Sequence, residues 1–314
     1  FTSTTFTNNG TLQLQGLTSQ TVTTPTNNAG STVEYTATSG SQEIKNWSYK
    51  SLKINGNGGT FTMHSSGEVL GENLIVSAGT FDLSNYTLSI NGTTTINGGI
   101  LKTGTNTVTF GDGTGVDNVV ISSTGELQIQ SDITTTDIVL TLGTGTWTNT
   151  AGTITYNCAT VVSTSLLASL SPYYNLTINS TGSTYTANGA ITASGNLTIT
   201  AGTLATANYA INVGGNWTNS GTFTSGTGPV TFTGNAAVHQ TITTAGQAFY
   251  NLTLNNTQVT FDQAIISGAL DVNGALTITD GNLNLSTNNP NVFTAGNVSI
   301  AAAGAVTKGS GTWT

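Results

Sequence analysis

Apolar and polar residues alternate along most of this chain, in short runs. Leu197-Thr198-Ile199-Thr200 and Leu283-Asn284-Leu285 have a period of two, which predicts strands with one buried face. The runs are punctuated by glycine. Gly189, Gly195 and Gly202 stand six or seven residues apart, with Ala190-Ile191-Thr192, Leu197-Thr198-Ile199 and Thr203-Leu204 between or just after them. Similar strands reopen at Gly195 and Gly215, 20 residues apart, at Gly71 and Gly92, 21 apart, and at Gly274 and Gly296, 22 apart. Three short strands per coil of about 20 residues predict an all-β chain wound as a parallel β-helix, a β-solenoid. An array of small β-sandwich domains is the alternative. The glycine spacing is shorter than the roughly 8–12 residues between sandwich turns, which favours the solenoid. One stretch is compatible with a helix, Thr164-Ser165-Leu166-Leu167-Ala168-Ser169-Leu170, and Pro172 ends it. It reads as a loop or a single short turn.

A longer repeat overlies the coils. Ile154-Thr155-Tyr156 returns 76 residues later as Val230-Thr231-Phe232, and Tyr173-Tyr174-Asn175-Leu176-Thr177-Ile178-Asn179 returns as Phe249-Tyr250-Asn251-Leu252-Thr253-Leu254-Asn255. Val33-Glu34-Tyr35, Tyr49-Lys50-Ser51-Leu52-Lys53-Ile54-Asn55 and Val108-Thr109-Phe110 belong to the same scheme. Units therefore begin near 33, 108, 154 and 230. Residues 1–29 form an N-terminal strand segment, and residues 30–314 a continuous solenoid. The recurring aromatics Tyr35, Tyr49, Phe110, Tyr156, Tyr173, Phe232 and Phe249 predict a ladder in the core or along an edge.

Composition then gives the pattern a cause. Of 314 residues, 66 are Thr, 39 Gly and 34 Asn. Thr suits the outward face of a pleated strand, and Gly and Asn accept the left-handed backbone of tight corners. Leu, Ile, Val and Phe total 73, enough for a thin, evenly spread core. Charged residues are 6%, the net charge is −8, and Arg is absent. Nucleic-acid binding needs a basic stripe and an anionic lipid surface needs clustered Lys or Arg, so both are excluded. No apolar run approaches the roughly 18 residues of a membrane-spanning helix. The lone Cys158 provides no internal disulfide and reads as a small buried hydrophobe.

The candidate chemistry is sparse. A glycosidase needs two carboxylates roughly 5–10 Å apart, whereas the acids here are scattered singly. Asp262, Asp271 and Asp280 are spaced by nine, out of step with the coil, and Asp132 and Asp137 by five. His64 and His239 lie in different units without a carboxylate beside them in sequence. No catalytic residue, cofactor or metal is assigned. Oxygen ligands in the loop Gly111-Asp112-Gly113-Thr114-Gly115-Val116-Asp117-Asn118 would suit calcium, but the spacing of a calcium-binding helix–loop–helix is missing and a plain turn is the preferred reading; calcium at Asp112 and Asp117 stays open. Thr-x-Thr patterns, as in Thr222-Phe223-Thr224, read as outward residues of ordinary strands, not an ice-ordering face. Asn-x-Thr/Ser sequons, such as Asn175-Leu176-Thr177 and Asn216-Trp217-Thr218, follow from a chain rich in Asn and Thr.

The stretch Tyr174-Asn175-Leu176-Thr177-Ile178-Asn179, the strand Gly195-Asn196-Leu197-Thr198-Ile199 and the turn Gly221-Thr222-Phe223-Thr224 resemble those of secreted prokaryotic β-strand-repeat cell-surface proteins, adhesin-like or autotransporter-passenger-like. The resemblance spans about residues 30–314. It implies extracellular display and an adhesive or scaffolding role, and carries over no catalytic residue. Gly309-Ser310-Gly311-Thr312-Trp313-Thr314 matches Gly143-Thr144-Gly145-Thr146-Trp147-Thr148 and breaks off in mid-repeat. A fragment of a longer repeat protein and head-to-tail capping by a second copy both fit this ending. Phe1-Thr2-Ser3-Thr4-Thr5-Phe6-Thr7 is strand-like, and reads as a strand donated to a neighbour. Phe1, Phe6 and Trp313 are thus the candidate subunit-interface residues. The expected function is a non-catalytic extracellular structural or adhesive protein that pairs with itself, other surface proteins or glycans; a polysaccharide-binding or polysaccharide-degrading β-helix is the alternative.

Overall fold

The computed structural model describes residues 6–16, 24–234, 239–257 and 263–314. Strand accounts for 52% of the chain and helix for 2%, with parallel coils stacked about 21 residues apart. The chain makes about 14 turns of a parallel β-solenoid. It divides into two units, Phe1–Thr155 and Tyr156–Thr314.

In the first unit, each inward position sits over its equivalent one coil earlier. One buried row runs Tyr35, Ile54, Val76, Ile96 and Ile121 through residue-for-residue parallel pairing. A second runs Phe61, Phe81, Leu101 and Leu127, and a third Leu70, Ile90 and Phe110. All of these are fully buried. Burial of one such side chain stabilises by about 1.5–3 kcal/mol, so a thin core suffices when every coil contributes to each row. The sandwich alternative does not hold. The paired strands are parallel, and each bonds a strand about one coil away.

The second unit repeats the plan. Ile191, Ile211, Val230, Leu252 and Leu276 form one inward row, and Leu176, Leu197, Trp217, Ile242 and Ile266 another. Between inward residues, the outward ones are hydroxyl-bearing. Thr184, Thr203 and Thr222 stack in register on one face, but Ala205 interrupts the companion row between Thr186 and Thr224, so the Thr-x-Thr pattern is not continuous there.

Two devices hold the corners. Strands such as Ser51–Thr62 and Leu74–Asp82 run through a bend, and Gly79 makes that bend possible. Its φ is +76°, and a Cβ there would lie 2.2 Å from the Gly56 carbonyl oxygen. The second device is asparagine. The Asn175 side-chain oxygen accepts from the Asn196 amide at 2.9 Å, Asn196 from the Asn216 amide at 2.8 Å, and Asn216 from the Thr241 amide at 2.8 Å. Each satisfies a corner N–H of the next coil, where regular pairing lapses. All three are sequon asparagines, and their side-chain oxygens are thus used internally.

The helix-compatible stretch divides. Ser163–Leu166 is a strand paired in register with Thr184–Ala187, and only Ala168–Leu170 is a 3-10 turn. The adjacent coil offers a ready backbone edge, which outweighs the modest helix propensity of Leu and Ala. A four-residue helix, Thr134–Asp137, was not signalled by the sequence.

Candidate functional site

The recurring aromatics are core residues. Tyr35, Phe110, Tyr156, Tyr173 and Phe232 are 0% exposed, Phe249 1% and Tyr49 2%. Four of them form a repeated hydrogen-bond device. In the first unit, the Lys45 amide donates to the Tyr35 hydroxyl at 2.8 Å, the two hydroxyls lie 2.9 Å apart, and the Tyr49 hydroxyl donates to the Lys45 carbonyl at 2.5 Å. The Tyr49 proton is spent on that carbonyl, so Tyr35 donates to Tyr49. The result is a closed ring from the N–H of one residue to its own C=O. In the second unit Leu167, Tyr156 and Tyr173 repeat it, with distances of 3.1, 3.0 and 2.5 Å. Each ring clamps one residue of a coil excursion and satisfies both of its backbone groups. Burial pushes the Tyr35 phenol up to about 12 and raises Tyr49, Tyr156 and Tyr173 above the usual phenol range.

The third copy has Phe232 and Phe249 at these positions and so lacks the hydroxyls. Trp217 fills that region instead, its ring centroid 6.1 Å from Phe232, 5.4 Å from Phe249 and 4.8 Å from Phe223. The edge-on geometry suits aromatic rings. A polar clamp is exchanged for an apolar cluster.

Titratable groups pair across coils. Glu34 is ion-paired with Lys53 at 2.9 Å and accepts from Gln13 at 2.6 Å and Asn55 at 2.9 Å. Burial alone would raise the Glu34 carboxyl, but the bonds from Lys53, Gln13 and Asn55 together hold it below its usual range. His64 Nδ1 lies 2.9 Å from a Glu43 carboxylate oxygen. The sequence offered no carboxylate beside His64, yet Glu43 precedes it by 21 residues, one coil; displacement by the coil period would have found this pair. Glu68 is partly buried, which raises its carboxyl, while the charge of His64 acts in the opposite sense.

The Asp112–Asp117 loop is a hydrogen-bonded turn. Asp112 accepts from the Thr114 hydroxyl at 2.6 Å and the Thr114 amide at 2.8 Å, and Asp117 accepts from the Asp112 amide at 3.1 Å. The Thr114 hydroxyl bond holds the Asp112 carboxyl below its usual range. Among the described residues, no group of three or more His, Cys, Asp or Glu side chains is placed to hold a metal ion. Cys158 is buried, its sulfur 3.3 Å from the Thr160 hydroxyl.

Of the candidate interface residues, Phe1 falls outside the described residues. The Phe6 carbonyl accepts from the Thr26 amide at 2.8 Å. Trp313 makes a parallel bridge with Val292 and is partly buried. The strand Val298–Thr307 pairs along its length with Leu276–Asn284. It carries Val298 and Ile300 at 41% and 50% exposure, although Leu276 and Ile278 beneath them are 0% exposed. Comparison of the chain with known protein families, with curated proteins and with solved structures finds no match.

Proposed function

We propose that this is a non-catalytic extracellular structural or adhesive protein whose β-solenoid associates end to end with a further copy of itself. The observation that carries the reading is the in-register parallel stacking, in which each strand bonds its equivalent about one coil away. A coil from a further copy can add to such a stack by the same backbone pairing. A heterologous contact of this kind repeats into a filament when its rotation does not close.

The internal construction supports a structural role. The asparagine ladder and the Glu34–Lys53 pair hold one coil on the next, and the tyrosine rings fix an excursion within a coil. The adhesive part of the reading follows the resemblance to prokaryotic surface repeat proteins, adhesins and autotransporter passengers among them. Sedimentation velocity over rising protein concentration tests the association. The protein should form growing linear species as its concentration rises. A chain that stays monomeric throughout contradicts the proposal.

A further inference from the structure

We propose that a cavity beside the first tyrosine ring binds a neutral sugar residue. The cavity has a volume of about 360 Å³ and is lined by Thr24, Asn46, Trp47, Ser48, Gly67, Glu68 and Val69. That volume lies at the lower end of the range for small-ligand sites, roughly 300–1,000 Å³. It admits one ring-sized group.

Three successive coils build the site. Residues 46–48 follow Lys45, the residue whose amide and carbonyl are clamped by Tyr35 and Tyr49. The Trp47 amide donates to the Lys45 carbonyl at 2.9 Å, and the Asn27 side chain donates to the Ser48 carbonyl at 2.9 Å. The cavity wall is therefore held in place before any ligand arrives, and pre-organisation of this kind reduces the entropic cost of binding. The clamp thereby gains a purpose in this copy beyond stability.

The lining chemistry selects the ligand class. Glu68 is an acceptor, the Asn46 amide offers both donor and acceptor, and the Thr24 and Ser48 hydroxyls can do either. Among the described residues nothing hydrogen-bonds the Glu68 carboxyl group, so its oxygens are open to hydroxyl donors. Val69, 48% exposed, adds an aliphatic wall, and Trp47, only 5% exposed, backs the site from the core. Among the described lining residues there is no Lys, Arg or His, so the one charged group that an anionic ligand would touch is the Glu68 carboxylate. Alternating hydroxyl donors and acceptors around an apolar ring face match this lining, and a neutral sugar carries both. The proposal deepens the adhesive half of the function above. Its test is separate, since glycoside binding is read directly and not through association.

Saturation-transfer NMR on the intact chain is the test, with methyl glycosides of glucose, galactose, mannose and N-acetylglucosamine as probes and methylammonium as the charged competitor. At least one glycoside should receive saturation from the wild-type protein. Glu68→Gln and Asn46→Ala should each weaken its binding roughly tenfold or more, the loss expected for a hydrogen bond to a charged or buried polar group. Glu43→Gln, outside the cavity, should leave affinity within about twofold. Circular dichroism of each variant verifies the fold, and if one variant fails to fold the other decides. Absence of transfer to all four glycosides, binding unchanged by the cavity variants, or binding of methylammonium alone would overturn the proposal.

Discussion

Replacing Tyr173 by Phe removes one oxygen atom and opens the hydrogen-bond ring of the second unit. In the intact ring the Tyr173 hydroxyl donates to the Leu167 carbonyl at 2.5 Å and lies 3.0 Å from the Tyr156 hydroxyl. Its loss strands two groups, the Leu167 carbonyl and the Tyr156 proton. Tyr156 and Tyr173 are 0% exposed and Leu167 4%, so water cannot replace the missing partner without entering the core. Each stranded buried group costs about 1–3 kcal/mol, which puts the expected loss near 3 kcal/mol. Adding Tyr156→Phe should cost less than a second independent substitution, because both hydroxyls belong to one ring. Urea unfolding followed by far-ultraviolet circular dichroism measures the difference, with Tyr209→Phe, at a side chain 44% exposed, as the control expected to stay within about 0.5 kcal/mol. A Tyr173→Phe loss no larger than that of the control would refute the ring as a stabilising element.

The remaining predictions concern the coils and their charges. Asn196→Ala removes the acceptor for the Asn216 amide and should cost about 1–2 kcal/mol in the same urea assay. Gly79→Ala places a Cβ 2.2 Å from a backbone oxygen at a φ of +76°; a loss above about 3 kcal/mol is expected. Burial raises the Tyr35 phenol from 10.0 to about 12. A raised phenol favours the neutral folded form, so its contribution is intact below pH 10 and is lost as the pH climbs toward 12. Tyrosinate absorbance of the clamp residues should therefore appear together with unfolding and not before it. Glu34 is held below its ordinary value of 4.5, so its contribution is present above that pH and is lost as the pH falls. Lys53→Met should accordingly destabilise the protein more at neutral pH than under acid, as thermal melts at the two pH values would register.

The coil was legible because two simple periods coincide. Alternation of Leu, Ile and Val with Thr sets the strands, and glycine every six or seven residues sets the corners. The equivalence of Tyr35 with Tyr156, and of Tyr49 with Tyr173, was also visible as a repeat. What their hydroxyls do was not. The rings close on the backbone of Lys45 and Leu167, and any residue type supplies an N–H and a C=O. The Glu43–His64 and Glu34–Lys53 pairs stood about one coil apart in the sequence and needed only displacement by that period. The cavity at Trp47 and Glu68 shares the coil spacing as well. Its hollow, however, depends on how the loop at 46–48 stands against the strand Glu68–Leu70, which no periodicity encodes. The strand at 163–166 was hidden because Leu166-Leu167-Ala168 suits a helix until a paired coil beside it is considered.

The proposed self-association is open to electron microscopy of the natural protein in its native setting. Unbranched filaments are expected, in which successive coils continue the ~4.8 Å strand spacing along the axis, across the junctions between copies. Dispersed single molecules, with no filament at any concentration, would contradict it.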